Sequence, residues 1–211
     1  MAYWVKTPKW LKRIFPREMI WSIPQNDKPS VYITFDDGPH PVATPFAIDQ
    51  LEKHDAKATF FCIGKNVEAH PDIYQALQDK GQGIGNHTHN HMNGWKTNTR
   101  IYLSNILKAK QVINSVLFRP PYGRIKISQA RILLRSNPSW KIYMWDVLSG
   151  DFDLNLSPEQ CLENVITNIE PGSIVVFHDS EKAWERMSYA LPEVLAYCRK
   201  QNWEISALPK N

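Results

Sequence analysis

Hydrophobic and polar positions along this chain follow two periods, one typical of buried strands and one typical of amphipathic helices. Short runs rich in β-branched and aromatic residues recur, and turn signals follow them. They predict strands at residues 31–35, 58–62, 82–86, 117–118, 141–145, 173–177 and 204–208. Helical spacing between them predicts helices at residues 42–54, 97–116, 127–136 and 184–201, one ending at Gly81 and one starting at Ser157.

Strands that alternate with helices imply parallel pairing through crossover connections. Seven such units in 211 residues predict a single-domain α/β protein, a distorted (β/α)7 TIM-like barrel that lacks one unit of the eight-fold pattern. An open doubly wound sheet is the alternative. Within this plan we expect residues 1–30 to form an N-terminal arm packed on the barrel and residues 31–211 to form the barrel domain.

Composition narrows the class of protein. The chain is 43% hydrophobic and 22% charged, which suits a folded domain with a full core. Its net charge of +4 is mild, so we expect no nucleic-acid partner. Cys62, Cys161 and Cys198 are widely spaced and odd in number, which predicts unpaired structural thiols.

The N-terminal segment mixes aromatic and basic residues. Cations interrupt it repeatedly, at Lys6, Lys9, Lys12, Arg13 and Arg17, and no apolar signal-peptide core follows, so we expect a cytoplasmic location. No stretch has the length of a transmembrane span. A membrane-surface helix is one interpretation of residues 4–21, but Pro8 and Pro16 interrupt it and favour the packed arm.

Unusual polar residues stand where the predicted strands end. In chain order these are Asp36 and Asp37, His87 and His91, Arg119, Asp151, and His178 with Asp179. In a parallel barrel the loops after the strands form one face, and that face carries the active site. The sequence therefore predicts that these separate clusters converge on one spot.

Two imidazoles four residues apart, together with a carboxylate, are suited to a divalent metal ion. We assign Asp37, His87 and His91 as its ligands, which leaves a coordination position open for water, as in catalytic zinc sites. Zinc suits this ligand set best, and cobalt, nickel, iron or manganese are alternatives. The ion would lower the pKa of its water and polarise a carbonyl.

The remaining polar residues suggest acid–base chemistry. Neighbouring side chains diverge at a strand end, so Asp36 is free to act as general base while Asp37 binds the metal. Arg119 would keep Asp36 ionised, and Asp151 would keep His178 protonated as a general acid. A backbone N–H near Tyr122 would support an oxyanion.

These residues resemble the polysaccharide deacetylases of carbohydrate esterase family 4, which share the NodB homology domain. The motif T-F-D-D-G-P stands at residues 34–39, and H-[ST]-x-x-H stands at His87, Thr88 and His91. The motif R-x-P-x-G begins at Arg119. The resemblance covers residues 31–208 and agrees with the roles assigned above, and it adds that Thr88 braces the loop between the two histidines.

The resemblance implies metal-dependent removal of N-acetyl groups from N-acetylglucosamine-containing saccharides of the chitin-oligosaccharide or peptidoglycan type. The family motif D-x-x-D-W appears as Leu148 to Phe152, so its first acid is missing and Phe152 replaces the tryptophan of the wall. The motif L-x-H appears as Val176 to His178, so Val176 is expected to line the acetyl-methyl pocket.

Several alternatives stay open from the sequence. An O-acetyl carbohydrate esterase of the acetylxylan type would use the same barrel face. A non-catalytic carbohydrate-binding protein would need neither Asp36 nor His178, and a non-haem iron oxygenase would leave Arg119 without a role. His89 is expected to face a groove or solvent, and the oligomeric state is not predicted.

Overall fold

The computed structural model describes residues 3–16, 18–25 and 28–210, so the predicted arm residue Arg17 and both chain ends lie outside the described part. Within it the strands are β1 Met19–Ile20, β2 Ser30–Asp36, β3 Thr59–Cys62, β4 Gly83–Asn86, β5 Leu117–Phe118, β6 Lys141–Tyr143, β7 Val147–Leu148, β8 Ile174–His178 and β9 Glu204–Ile205.

Helices occupy the connections between the strands. They are α1 Lys9–Ile14, α2 Ala43–Lys53, α3 Gly64–Ala69, α4 Pro71–Asp79, α5 Thr99–Lys110, α6 Ile127–Ser136, α7 Pro158–Ile166 and α8 Trp184–Lys200, with short 3-10 turns at Pro121–Gly123 and Glu181–Ala183. Ser157 caps α7 by accepting a hydrogen bond from the backbone N–H of Gln160, as its Ser-Pro sequence predicts.

The strands of the main sheet pair in parallel, in the order β1-β6-β5-β4-β3-β2-β8-β7, and β9 pairs with the start of β2. One stretch of chain, residues 141–148, serves both ends of this sheet, because β6 pairs with β5 and β7 pairs with β8. The sheet therefore curls on itself. The predicted distorted barrel is confirmed, and the open doubly wound sheet is wrong.

Residue alternation along β2 divides buried side chains between two sides of the sheet. Val31, Ile33 and Phe35 pack outwards in the large cluster that includes α2 and α8, where the Phe35 ring stacks on Phe60 at 4.7 Å between centroids. Because strand side chains alternate, Thr34 and Asp36 point to the barrel interior. This alternation delivers Asp36 to the end of the barrel.

Several short elements were not predicted, among them α3, β7 and β1. The chain between β3 and β4 contains two helices, whereas the sequence predicted one. Helix α3 was missed because it has only six residues and no capping side chain at its start. The predicted strand at residues 141–145 ends at Tyr143, and β7 follows after a break. Met19 and Ile20 of the predicted arm pair with β6 and extend the sheet.

The N-terminal arm contacts the barrel along β7. The ammonium of Lys6 lies 2.9 Å from the carboxylate of Asp146, and the backbone N–H of Leu148 donates to the carbonyl of Val5. Helix α1 has no buried residue. The division at residue 30 and the cytoplasmic location stay predictions.

The described part of the chain contains no helix with the length and apolar character needed to cross a lipid bilayer. Its three cysteines are unpaired and buried, as expected for structural thiols.

Candidate active site

The predicted site residues converge at the carboxyl ends of the strands. A cleft of about 760 Å³ opens there, and eight of the ten predicted residues line it: Asp36, Asp37, His87, His91, Tyr122, Phe152, Val176 and His178. The other two, Arg119 and Asp151, are fully buried behind the wall of the cleft and contact residues that line it. Strand pairing explains this arrangement, because parallel strands present their ends on one face.

Asp37, His87 and His91 form a group whose candidate ligand atoms lie within 4.8 Å of one another. Oδ1 of Asp37 is 3.1 Å from Nε2 of His91 and 3.7 Å from Nε2 of His87. That oxygen is buried and has no hydrogen-bond partner among the described residues. A buried carboxylate oxygen with no donor, facing two imidazole nitrogens, fits a divalent cation.

The tautomer of His87 also suits metal binding. Strands β4 and β5 pair at Asn86 and Phe118, which brings the next residues, His87 and Arg119, side by side. Nδ1 of His87 lies 2.8 Å from the carbonyl oxygen of Arg119. Because a carbonyl only accepts, Nδ1 carries the proton and Nε2 keeps its lone pair. Burial lowers the pKa of His87 to about 4, so the ring is neutral at pH 7.

Burial by itself would raise the pKa of Asp37. The neighbouring rings of His91, His178 and His87 outweigh that effect and hold the pKa well below its usual range. Asp37 is therefore ionised at every pH at which the protein would work, which suits an anionic ligand.

The loop that carries the two histidines has a strained backbone. Thr88 and His91 have φ of 62° and 54°, in the left-handed region that side chains with a β-carbon rarely adopt. The loop is held by side chains: Asn86 Oδ1 accepts from the N–H of Thr88, and Thr88 Oγ1 accepts from the N–H of Met92. Thr88 thus braces the loop, and the strain turns His91 back towards Asp37.

His89 differs from its two neighbours. The expectation that it faces a groove or solvent is wrong, because its side chain is 3% exposed and lies between α3 and α5. A β-carbon on Gly64 would overlap its ring, and its Nε2 is 3.6 Å from Oε2 of Glu68. The strained loop points His89 away from the cleft, which leaves the metal group to His87 and His91.

Asp36 forms an ion pair with Arg119 inside the barrel. Nη1 of Arg119 donates to Oδ1 of Asp36 at 2.8 Å and to the hydroxyl of Thr34 at 2.7 Å. The guanidinium also donates to the backbone carbonyls of Tyr143 and Met144. These bonds fix the orientation of Asp36, whose second oxygen, Oδ2, lies 3.9 Å from Nε2 of His87.

His178 is the residue of β8 that pairs with Asp36 of β2 in the parallel register. Its Nδ1 lies 2.7 Å from Oδ1 of Asp151, and its backbone N–H donates to the other oxygen of the same carboxylate. Burial opposes the charged ring, but Asp151, Asp37 and Asp36 raise the pKa of His178 to about 9. The imidazole is therefore protonated at pH 7, with Nε2 free for a reactant.

Asp179 is a site residue that the sequence analysis left without a role. Its Oδ1 accepts from the N–H of Gly38 at 2.9 Å, and its Oδ2 accepts from the hydroxyl of Thr44. A β-carbon on Gly38 would overlap this carboxyl group. Asp179 therefore holds the turn that follows Asp37. Its position next to His178, at the end of a buried strand, was the signal available in the sequence.

The walls of the cleft are largely apolar. Val176 and Leu148 are neighbours in the register of β8 and β7, and both line the cleft near His178. Phe152 packs edge-on against His178 at 5.2 Å between centroids, and Trp145 also lines the cleft. Five lining residues carried no signal in the strand-end pattern: Tyr3, Asn93, Lys96, Arg124 and Lys182.

Tyr122 stands beside the metal group with φ of 60° and its ring 4.5 Å from that of His91. In this turn the N–H groups of Gly123 and Arg124 donate to the carbonyls of Pro120 and Pro121. Within the described part of the chain, the N–H of Tyr122 has no such acceptor, so it is available to a ligand.

A second hollow of about 460 Å³ lies at the opposite end of the strands, between Gln78 and Ile84 on one side and Lys110 on the other. It contains none of the predicted site residues. The chemistry indicated by the sequence is therefore confined to the cleft at the carboxyl ends.

A family model described as polysaccharide deacetylase matches residues 24–135. The chain belongs to this family. The match spans just over half of the chain, including the metal group and Arg119. It ends before Asp151 and His178, whose place in the site rests on the geometry above.

Relatives of known description agree with that family. A peptidoglycan-N-acetylglucosamine deacetylase of Bacillus cereus is 36% identical over 73% of this chain and 57% of its own length. A chitooligosaccharide deacetylase of Azorhizobium caulinodans is 33% identical over 74% of this chain and 76% of its own length.

The crystal structure of the Bc1960 peptidoglycan N-acetylglucosamine deacetylase superposes with a TM-score of 0.86 at 31% identity, covering 95% of this chain and 94% of that one. The predicted family, fold and enzyme class, a carbohydrate deacetylase, are confirmed.

Proposed function

We propose that this enzyme hydrolyses the N-acetyl group of N-acetylglucosamine units in an oligo- or polysaccharide, with the help of one divalent metal ion. The observation that carries the proposal is the position of a fixed carboxylate and a protonated imidazole at paired positions of β2 and β8, beside the group Asp37, His87 and His91. Amide hydrolysis needs a base for the water and an acid for the departing nitrogen.

Asp37, His87 and His91 would hold the ion, and zinc fits this set of one carboxylate and two imidazoles. A bound divalent ion supplies Lewis acidity, which polarises the acetyl carbonyl and lowers the pKa of water in its coordination sphere. The histidine loop supports this role, because hydrogen bonds from its own side chains hold the strained backbone that directs His91 towards Asp37.

Asp36 takes the proton from the attacking water. Arg119 cannot accept that proton, and it holds Oδ1 of Asp36, so Oδ2 is the oxygen that faces the reactant. The N–H of Tyr122 donates to the oxygen of the acetyl group as charge develops there. Removing one hydrogen-bond donor that stabilises an oxyanion typically lowers the reaction rate by roughly 100- to 1,000-fold.

His178 gives its proton to the nitrogen of the sugar as the carbon–nitrogen bond breaks. Asp151 binds Nδ1, so Nε2 is the donor. Val176 and Leu148 border the site of the acetyl methyl group, and Phe152 limits the space beside His178. The products are acetate and a free amino sugar, and the proton taken by Asp36 balances the proton released by His178.

The metal assignment is tested with two substitutions in one histidine cluster. Replacing His91 by Gln should lower zinc affinity by a factor of 10 to 100 or more, while the matched control His89→Gln should leave it unchanged. Zinc binding is measured by titration and acetate release on a chitin oligosaccharide, with and without a chelator. Chelator-resistant acetate release, or equal loss of zinc from both variants, would reject the metal role.

Two substrates, an N-acetylated chitin oligosaccharide and O-acetylated xylan, separate N-deacetylation from O-deacetylation. A protonated donor matters most when the leaving group is an amine, because an alkoxide leaves more readily. His178→Ala should therefore reduce acetate release from an N-acetylated chitin oligosaccharide far more than from acetylated xylan. If the native enzyme prefers acetylated xylan, the esterase is the correct function.

A further inference from the structure

The N-terminal arm leads into the cleft along β7. Lys6 and Val147 form an antiparallel bridge, and the N–H of Thr7 donates to the carbonyl of Asp146 at 2.7 Å. Because the arm is antiparallel to β7, the residues before Lys6 run towards the carboxyl end of that strand, where the cleft opens. Tyr3 belongs to this part of the arm and is one of the residues that line the cleft. The arm therefore contributes to the candidate active site as well as packing on the barrel.

The ring of Tyr3 ends a row of three rings that begins at the proposed acid. Phe152 packs against His178 at 5.2 Å between ring centroids, and Tyr3 packs against Phe152 at 5.3 Å. All three residues line the cleft. Val176 and Leu148 already border the site of the acetyl methyl group, so the proposed chemistry leaves the outer ring, that of Tyr3, without a role.

Local contacts fix the orientation of Tyr3. Its hydroxyl donates to Oδ2 of Asp153 at 3.2 Å. Burial and the carboxylate of Asp153 raise the pKa of Tyr3 to about 12, so the hydroxyl keeps its proton. The hydroxyl oxygen also lies against Gly150, which has φ of 79° and where a β-carbon would come within 2.9 Å of that oxygen. A ring that is held in place in this way loses little freedom when a ligand packs on it.

We propose that Tyr3 is a substrate-binding residue whose ring receives the sugar next to the one that carries the reacting acetyl group. This proposal rests on the function proposed above and adds a binding residue to that site. In that function the sugar nitrogen departs towards His178, so the glycan lies on the side of the cleft where the row of rings begins. Pyranose rings expose apolar C–H groups on their faces, and a flat aromatic ring with a polar tip is suited to pack against them.

Three variants of the arm test this role with a chitin tetrasaccharide and the zinc-loaded enzyme. If a sugar covers about 50 Å² of the Tyr3 ring, loss of that contact should weaken binding roughly eightfold. Tyr3→Ala should therefore raise KM by a similar factor and leave kcat nearly unchanged. Tyr3→Phe keeps the ring and should keep KM close to the native value. Trp4→Ala should also keep the native KM, because Trp4 is an exposed aromatic residue of the same arm that packs against Trp10.

The same measurements separate a binding role from a structural one. Phe152 contacts both Tyr3 and His178, so a residue that acted through Phe152 would change kcat or its dependence on pH. A changed kcat or pH profile with a native KM in Tyr3→Ala would therefore overturn the binding role. An equal rise of KM in Tyr3→Ala and Trp4→Ala would also overturn it, since the effect would then come from displacement of the whole arm.

The binding role of Tyr3 and the proposed function fail in different ways. If the native enzyme releases no acetate, calorimetry with the tetrasaccharide compares the zinc-loaded native and Tyr3→Ala proteins. Weaker binding by Tyr3→Ala in that case would reject the proposed function alone, and equal binding would reject both. Acetate release with the same KM in the two proteins would reject the role of Tyr3 alone.

Discussion

Two carboxylate–cation pairs border the cleft, and they differ in which member is able to release a proton. Asp36 lies 2.8 Å from Arg119, and Asp151 lies 2.7 Å from His178. A guanidinium keeps its proton in proteins, so the carboxylate is the only member of the first pair that exchanges one. An imidazolium can release its proton, so Asp151 supports the acid instead. In the proposed mechanism, the same pairing of charges thus produces a base in one place and an acid in the other.

The surroundings of the pairs differ in the same sense. Arg119 is fully buried, with hydrogen bonds to Thr34 and two backbone carbonyls, and its guanidinium lies 4.1 Å from the centre of the Phe61 ring. His178 is only partly buried and reaches the cleft. The first pair therefore supports the fold as well as the proposed reaction, while the imidazole of the second pair reaches the cleft, where it can exchange its proton.

The largest effect should follow from breaking the first pair. Asp36→Asn should reduce kcat for acetate release by roughly 100- to 10,000-fold because the base is lost. It should also lower the free energy of unfolding by roughly 3–5 kcal/mol, since Arg119 remains charged and buried without its partner. Acetate release and urea unfolding measure the two effects.

Asp49→Asn is the matched control for that variant, because Asp49 is an exposed carboxylate that pairs with Lys53 on α2. It should change neither activity nor stability by a measurable amount, with a cost below about 1 kcal/mol. Retained activity in Asp36→Asn would exclude this residue as the base.

Breaking the second pair should change pH dependence more than stability. With the pKa of His178 raised to about 9, acetate release by the native enzyme should fall as pH rises through about 9. In Asp151→Asn the largest compensation for burial is lost, so the fall should occur at a clearly lower pH than in the native enzyme. Profiles of kcat against pH for both proteins measure the shift, and coincident profiles would contradict it.

The raised pKa of His178 also makes the stability of the fold depend on pH. The ion pair of Asp151 with His178 stabilises the fold fully below pH 6.5, and this contribution disappears as pH rises through about 9. Asp151→Asn should therefore destabilise the protein less than Asp36→Asn, because His178 becomes neutral instead of remaining an unpaired cation. Urea unfolding at pH 7 compares the two variants directly.

The smallest effect concerns Asp179, which links the regions that carry the two pairs. Burial raises the pKa of Asp179 to about 8, so at pH 7 this carboxyl is mostly neutral and an amide should replace it well. Asp179→Asn should cost less than about 1 kcal/mol, while Asp179→Leu, which strands the donors of Gly38 and Thr44, should cost roughly 2–4 kcal/mol. Urea unfolding measures the loss of unfolding free energy in both variants. Equal losses in Asp179→Asn and Asp179→Leu would contradict a neutral carboxyl group at Asp179.

The metal group shows how much of the site was predictable from local pattern. The spacing of His87 and His91 and the Asp36–Asp37 pair at a strand end indicated which residues meet, and the barrel placed them together. His89 was wrongly expected to face a groove or solvent, because its burial depends on Gly64 of α3 and on α5. Helix α3 gave no clear signal. It has only six residues and no capping side chain, so it is too short to show a helical period in the sequence.

The alternation of the main strands and helices, the residue types at strand ends and the likeness to polysaccharide deacetylases were determined by the sequence alone. Strand alternation and turn chemistry are local, so they can be recognised without knowing the fold. Only the tertiary structure decided that Asp179 holds Gly38, that Tyr3 reaches the cleft, and that Lys96 and Lys182 border it from two sides. These contacts join residues far apart in the chain, and the parallel pairing of the strands together with the curling of the sheet brings them together.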